Sequence, residues 1–277
     1  MSAKMLTVLC VGATGSVGRH VVEEALRQGH SVRALVRDRA RAAGLPVQAD
    51  IVVGELTQPD TLARAVAGVN AIVFTHGSNG GKADTQAIDY GGVRNVLLAL
   101  RGHKVRIALM TAIGVTDRVG SYNRRTEAHD WKRRSERLVR ASGNAYTIVR
   151  PGWFDYNDAN QHRLVMLQGD TRHTGTPADG VIARRQIAGA LVASLTMEQA
   201  RNKTFELVAE IGPEPRDLAP LFTAVTADSG DFGNAPDGVG DVANMPLDQE
   251  PPQVLADLTA IRSSGSDSVE LPNRGAS

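Results

Sequence analysis

Glycines stand at positions 12, 15 and 18 in the run Val11-Gly12-Ala13-Thr14-Gly15-Ser16-Val17-Gly18. Each position of that spacing has a use in holding a pyrophosphate. The first glycine permits a turn closed to other residues, the second lets the backbone approach the phosphates, and the third lets a helix pack close to a sheet. A helix that begins there presents unpaired N–H groups to an anion, and the Thr14 and Ser16 hydroxyls add donors. The pattern is informative only between a strand and a helix. Residues 6–11 are a compact apolar run, and Val17, Val21, Val22, Ala25 and Leu26 repeat at helical spacing behind the turn. The turn is therefore predicted to bind a dinucleotide.

The second strand discriminates between dinucleotides. A site for NAD usually carries Asp or Glu near the end of that strand, to bind ribose hydroxyls. Here residues 31–36 lead into Arg37, with Arg33 four residues earlier and no carboxylate before Asp38. Arginine makes charge-assisted, often bidentate, contacts to phosphate. Arg37 is thus predicted to take a 2′-phosphate, with Arg33 or Arg39 as helpers, and NADP(H) is the predicted cofactor.

The elements that must position these residues alternate through the first 150 positions. Strands are predicted at residues 6–11, 31–36, 51–53, 71–74, 107–110 and 146–149. Helices are predicted from Val17 to Gly29, from near Pro59 and Asp60, and over 84–100 and 127–141. The strands are apolar on both faces, as in a parallel sheet covered by helices. The predicted fold is α/β, a Rossmann-type doubly wound parallel sheet with a small C-terminal substrate-side region. Residues 1–150 form the NADP(H)-binding core. Residues 151–226 extend the same domain on the substrate side, with a helix at 186–195, a strand at 204–208 and a short helix within 213–225. Residues 227–277 are loop-rich, with a last helix at 254–261 and a Ser- and Gly-rich tail after Arg262.

Composition narrows the partners. The 277 residues are 42% hydrophobic and 22% charged, with a formal net charge of +1, so no global field favours nucleic acid or an anionic membrane. The one cysteine, Cys10, lies in an apolar run and is expected to be a buried thiol. The apolar run near the N-terminus meets glycines at once, too short for a signal peptide or a membrane span, and the expectation is a cytoplasmic protein. The seven histidines show no metal-ligand spacing, and no metal is expected. Arg133, Arg137 and Arg140 share a helix face within a basic run that includes Arg124, Arg125 and Arg134. That face is expected to be solvated, since aromatic residues, at 4%, are too few for a nucleic-acid surface. The apolar helix ending at Leu100 suits a core or a dimer interface, so a monomer or homodimer is expected.

The chain resembles the atypical short-chain dehydrogenase/reductase superfamily, in its branch of NAD(P)H-binding, NmrA-like proteins. The resemblance is carried by the glycine run, by Val32-Arg33-Ala34-Leu35-Val36-Arg37, and by Val53-Gly54-Glu55-Leu56, where Glu replaces the usual Asp. Asp89-Tyr90-Gly91-Gly92-Val93 and Tyr146-Thr147-Ile148-Val149-Arg150-Pro151-Gly152 carry it further, over about residues 5–210. The resemblance implies that Glu55 and Leu56 sit near the adenine, and Thr75, His76 and Gly77 along the middle of the cofactor. It implies that Thr111 and Ala112 approach the nicotinamide ribose, and that Pro151, Gly152 and Trp153 face the nicotinamide.

The superfamily's usual chemistry uses a Ser or Thr, a Tyr, and a Lys four residues after the Tyr. The Tyr exchanges a proton with the substrate oxygen, and the Lys lowers its pKa and holds the ribose. Thr111 takes the Ser place and Lys132 the Lys place, but Ala128 stands where the Tyr belongs. Water, His129, Tyr122 or Tyr156 then has to supply the proton, with Tyr122 in a loop expected over the site. The expected function is an NADP(H)-dependent oxidoreductase, moving a hydride to or from a small carbonyl, quinone or related substrate. The alternative is an NADP(H)-binding redox sensor without turnover. Sugar-nucleotide epimerisation ranks third, because it leans on the same absent tyrosine.

Overall fold

Runs of Val, Ile, Leu and Ala bury both faces of the central strands, and they assemble in parallel. β1 (Thr7–Val11), β2 (Ser31–Val36), β3 (Asp50–Val53), β4 (Ala71–Phe74), β5 (Arg106–Met110) and β6 (Ala145–Pro151) lie in the order β3-β2-β1-β4-β5-β6. The computed structural model describes residues 5–229 and 234–266. The chain builds β3-β2-β1 outward in one direction and then crosses back to place β4 on the other side of β1. That reversal opens a crevice at the carboxyl ends of β1 and β4, where open α/β sheets bind ligands. After β6 come β7 (Trp153–Phe154), β8 (Arg163–Leu167), β9 (Val181–Ile182) and β10 (Lys203–Glu210). β10 is parallel to β6, while β8 and β9 pair antiparallel with β10.

Helices cover both faces. α1 (Gly18–Arg27) buries Val21, Val22 and Ala25 against one face, beside Ile187, Ala188 and Leu191 of α7 (Arg184–Ser194). Between these two in sequence come α2 (Ala63–Val66), α3 (Lys82–Asp84), α4 (Gly91–Ala99), α5 (Ser121–Thr126) and α6 (Ala128–Ala141). α8 (Ala219–Ala224), α9 (Asp241–Asn244) and α10 (Pro252–Ser266) follow α7. On the opposite face Val93 and Val96 of α4, Leu138 and Val139 of α6, and Val254, Leu258 and Ile261 of α10 form a second core. Cys10 is buried in the first core, and burial pushes its thiol up to about 12.

Several expected elements take a different form. The helix expected over 84–100 is α3, then a π-helical stretch over Thr85–Tyr90, then α4. The wide turn aims Asp89 at Lys132 of α6. β7 and β9 are two residues each, too short for periodicity to register, and β8 is mostly half-buried, so it shows no clean alternation. The helix expected within 213–225 is confined to α8, and the last helix runs beyond 254–261 as α10. The first four residues and the Ser- and Gly-rich tail past residue 266 lie outside the described residues.

The largest correction concerns the arginines of α6. Arg133, Arg137 and Arg140 are buried, not solvated. The segment over residues 234–250, expected as loop, lies against them and supplies the counter-charges. Asp241 of α9 takes Arg133 at 2.6 Å and also pairs with Arg137, while Glu250 takes Arg134 at 2.6 Å and Arg137 at 2.5 Å. Arg140 reaches Asp228 at 3.1 Å. Guanidinium groups leave water only when carboxylates replace their hydration, and here the carboxylates come from far along the chain.

Candidate functional site

A cavity of about 660 Å³ opens across the carboxyl ends of β1, β2, β4 and β5, within the usual range for small-molecule and cofactor sites. The glycine turn forms its floor. Gly12 has φ +88°, and a Cβ placed on it would lie 2.6 Å from the His76 nitrogen. A Cβ on Gly18 would lie 2.0 Å from the Gly12 oxygen. Both positions therefore exclude every side chain, and α1 starts tight against β1. Among the described residues no side chain caps α1, and a helix N-terminus left so suits an anion, although the Arg19 N–H already donates to the Gly15 carbonyl at 3.1 Å. Thr14, Gly15, Ser16 and Val17 line the cavity with Gly12, while Gly18 packs beneath it. The residues fit a dinucleotide: a side-chain-free turn, a helix N-terminus and a cavity across the switch point.

One end of the cavity is cationic. Arg37 and Arg41 both line it, and among the described residues neither guanidinium makes a hydrogen bond or an ion pair. Arg41 was not singled out from the sequence, because it lies in the irregular stretch after β2. Arg33 is not a helper. It pairs with Asp50 at 3.2 Å and donates to the carbonyls of Ala65 and Ala67 at 3.0 and 2.7 Å, closing the end of α2. Arg39 donates to the Ile51 carbonyl at 3.3 Å and does not line the cavity. Glu55 and Leu56 complete this end.

Thr75, His76 and Gly77 line the middle. The His76 Nε2–H donates to the Ile88 carbonyl at 3.0 Å, a tautomer set by the partner, since a carbonyl only accepts. Burial, aided by Lys132 and opposed by Asp89, pushes the imidazole down to about 4. His76 is therefore neutral at pH 7.

Met110, Thr111, Ala112, Lys132 and Phe154 line the far end. The Lys132 ammonium contacts Asp89, whose other oxygen accepts the Ser78 N–H at 2.8 Å. No sequence signal marks this pair, because it depends on the π-helical stretch. The Thr111 hydroxyl donates to Glu136 Oε1 at 2.8 Å. Glu136 also takes Arg150 Nε at 3.0 Å and Nη2 at 2.7 Å, and Arg140 at 3.2 Å. Burial alone would raise the Glu136 carboxyl, but Arg150, then Arg140 and Arg133, outweigh it and hold it at about 2.

Tyr122, Pro151, Gly152 and Trp153 are not brought to the cavity. Tyr122 sits on α5, half-exposed, with its ring against His129. The His129 Nδ1–H donates to the Asp117 carbonyl at 3.0 Å. Pro151 and Gly152 are buried where β6 passes residue 180, and a Cβ on Gly152 would lie 2.5 Å from the Gly180 oxygen. Trp153 packs edge-on against Tyr156 outside the cavity, and Phe154 lines it instead. Among the described residues no group of three or more His, Cys, Asp or Glu could hold a metal ion, and no helix is long and apolar enough to cross a membrane.

A switch-point cavity floored by this turn defines a Rossmann-type NAD(P)-binding protein of the atypical short-chain dehydrogenase/reductase class. Residues 12–198 match the NAD(P)H-binding domain family, and the chain belongs to that family, which is of the oxidoreductase type. It is 26% identical over 270 residues to the sanguinarine reductase of Eschscholzia californica, covering 81% of this chain and 98% of the relative. A solved structure from Bacillus halodurans, provisionally assigned as an NAD-dependent epimerase/dehydratase, matches with a TM-score of 0.66 and 26% identity, over 79% of this chain and all of that one. A short-chain dehydrogenase from Burkholderia cenocepacia, solved with NADP, shares the fold with a TM-score of 0.56 at 18% identity, over 81% of this chain and 95% of that one.

Proposed function

We propose that the chain is a cytoplasmic NADP(H)-dependent oxidoreductase acting on a small carbonyl, quinone or related substrate. The observation that carries the choice of cofactor is the free pair Arg37 and Arg41 at one end of the cavity, with Thr111 and Lys132 at the other. When bound, the cofactor supplies or takes up a hydride. Gly12, Gly15 and the start of α1 hold its phosphates, and Arg37 and Arg41 hold the 2′-phosphate. Lys132, steadied by Asp89, donates hydrogen bonds at the far end, which Phe154 and Met110 also line. Ala128 has no proton to give, and Tyr122 and Tyr156 stand outside the cavity. The His76 Nε2–H is committed to Ile88. Solvent water therefore carries the substrate's proton.

The likeness to a reductase supports turnover. One observation favours the second reading, a regulator that holds NADP(H) without using it: among the described residues no tyrosine lines the cavity. Two measurements decide. Calorimetry should give an NADPH dissociation constant at least tenfold below that of NADH, and equal constants would remove the NADP assignment. NADPH absorbance, followed with a panel of aldehydes, ketones and quinones, should fall with at least one class. Tight binding without any turnover would establish the regulator instead.

A further inference from the structure

Thr111 has one hydroxyl proton, and the structure shows where it goes. Its Oγ1 lies 2.8 Å from Glu136 Oε1. Glu136 is fully buried, and its other partners are guanidinium N–H groups of Arg150 and Arg140, which only donate. A carboxylate among such donors is ionised, and an ionised carboxylate only accepts. The Thr111 proton is thus committed to Glu136, and what Thr111 has left for the cavity is lone pairs. We infer that Glu136 sets Thr111 as a hydrogen-bond acceptor, so that this end of the site selects a ligand group that donates, a hydroxyl or an amide N–H.

The neighbours sharpen the selection. The side chains of Met110, Ala112 and Phe154 offer no strong acceptor, and the Lys132 ammonium only donates. A hydroxyl meets both remaining demands, giving its proton to Thr111 and taking one from Lys132. The arrangement is anchored from outside the family-matched region. Arg150 is held by Asp237 at 2.5 Å, and Asp237 belongs to the segment beyond residue 198. Asp237 is accordingly a positioning residue, acting on Thr111 through Arg150 and Glu136.

The inference rests on reading the cavity as an NADP(H) site, and the test separates the two. Calorimetry is run with NADP⁺ and with its 3-acetylpyridine analogue, in which a methyl group replaces the carboxamide nitrogen. Inhibition by hydroquinone, a donor, is compared with binding of benzoquinone, which only accepts. Thr111→Val and Thr111→Ala are compared with Thr111→Ser, with circular dichroism confirming the fold of each. Loss of the acceptor should weaken NADP⁺ or hydroquinone about fivefold or more, the size of one hydrogen bond, while Thr111→Ser keeps the wild-type value. If the carboxamide is the donor, the acetylpyridine analogue is indifferent to Thr111→Val. If a ribose hydroxyl is the donor, both dinucleotides lose equally. Folded Val and Ala variants that bind every probe normally would overturn the inference, as would a loss confined to benzoquinone. A wild-type protein that binds neither NADP⁺ nor NADPH would instead remove the reading of the cavity.

Discussion

Glu206 of β10 is 4% exposed, and its carboxyl accepts the Asp170 N–H at 3.2 Å. Arg150 stands 3.6 Å away, but its guanidinium is already engaged by Glu136 and Asp237. Burial therefore dominates, with Arg150 opposing it and Asp170 adding to it, and the carboxyl rises from 4.5 to about 8. The folded state then holds a proton that the unfolded chain releases, so stability falls as pH rises from 4.5 through 8. At about 1.4 kcal/mol for each pH unit of separation, the loss between pH 5 and pH 8 is about 3 kcal/mol. Glu206→Gln keeps the shape and removes the titration. The variant should therefore gain about 3 kcal/mol on the wild type between those two pH values. Urea denaturation of both proteins at pH 5, 6, 7 and 8 measures it, with equal m-values required. Glu136, held at about 2, contributes stability that is lost only as pH falls from 4.5 towards 2, outside this window. A stability difference that is the same at all four pH values would refute the account of Glu206.

Arg37→Ala should narrow the NADPH preference over NADH, measured by calorimetry, but not erase it, because Arg41 remains at the same end of the cavity. Gly18→Ala puts a Cβ 2.0 Å from the Gly12 oxygen, a clash with backbone that only a shift of the turn relieves. NADPH should bind at least tenfold more weakly, and wild-type affinity would mean that the turn shifts to admit the methyl group at no cost to the cofactor. Asp241→Asn leaves Arg133 and Arg137 short of a buried counter-charge. The loss should be about 3–5 kcal/mol by denaturation, and a loss under about 1 kcal/mol would show that the 234–250 segment is not held by these charges.

The parts of the site legible in the sequence are those made by local chemistry. Gly12, Gly15 and Gly18 fix a turn whose geometry depends on neighbours in the chain, and Arg37 follows a strand whose end is marked by burial. Thr111 and Lys132 were placed through the resemblance, which preserves spacing within β5 and α6. The missed residues depend on long-range contacts. Arg33 has the right charge and sits in β2, but the carbonyls at the end of α2, more than 30 residues on, capture it. Tyr122 has the right chemistry, but no periodicity states which way the short helix α5, just before α6, turns its side chains. Asp89 reaches Lys132 only because the helix widens over Thr85–Tyr90, and nothing in the composition of that stretch announces a π turn.

The arginines of α6 show why a charged helix face is a poor guide to exposure. Read alone, a run of Arg at helical spacing has no partner and must be solvated. The partners are Asp237, Asp241 and Glu250, about a hundred residues later, in a stretch whose glycines and prolines suggest only a loop. The available signal is complementarity: acids concentrated in a segment with no apolar periodicity of its own. Its consequence reaches the site, because α6 presents two sides. Lys132 lines the cavity and Glu136 holds Thr111 from behind, while Arg133 and Arg137 take the charges of the C-terminal segment. Arg150 joins the two sides, holding Glu136 with one edge and Asp237 with the other. Neutralising Asp241 therefore tests the clamp on the helix, whereas neutralising Asp237 also releases Arg150, and only the second should alter what Thr111 offers to a ligand.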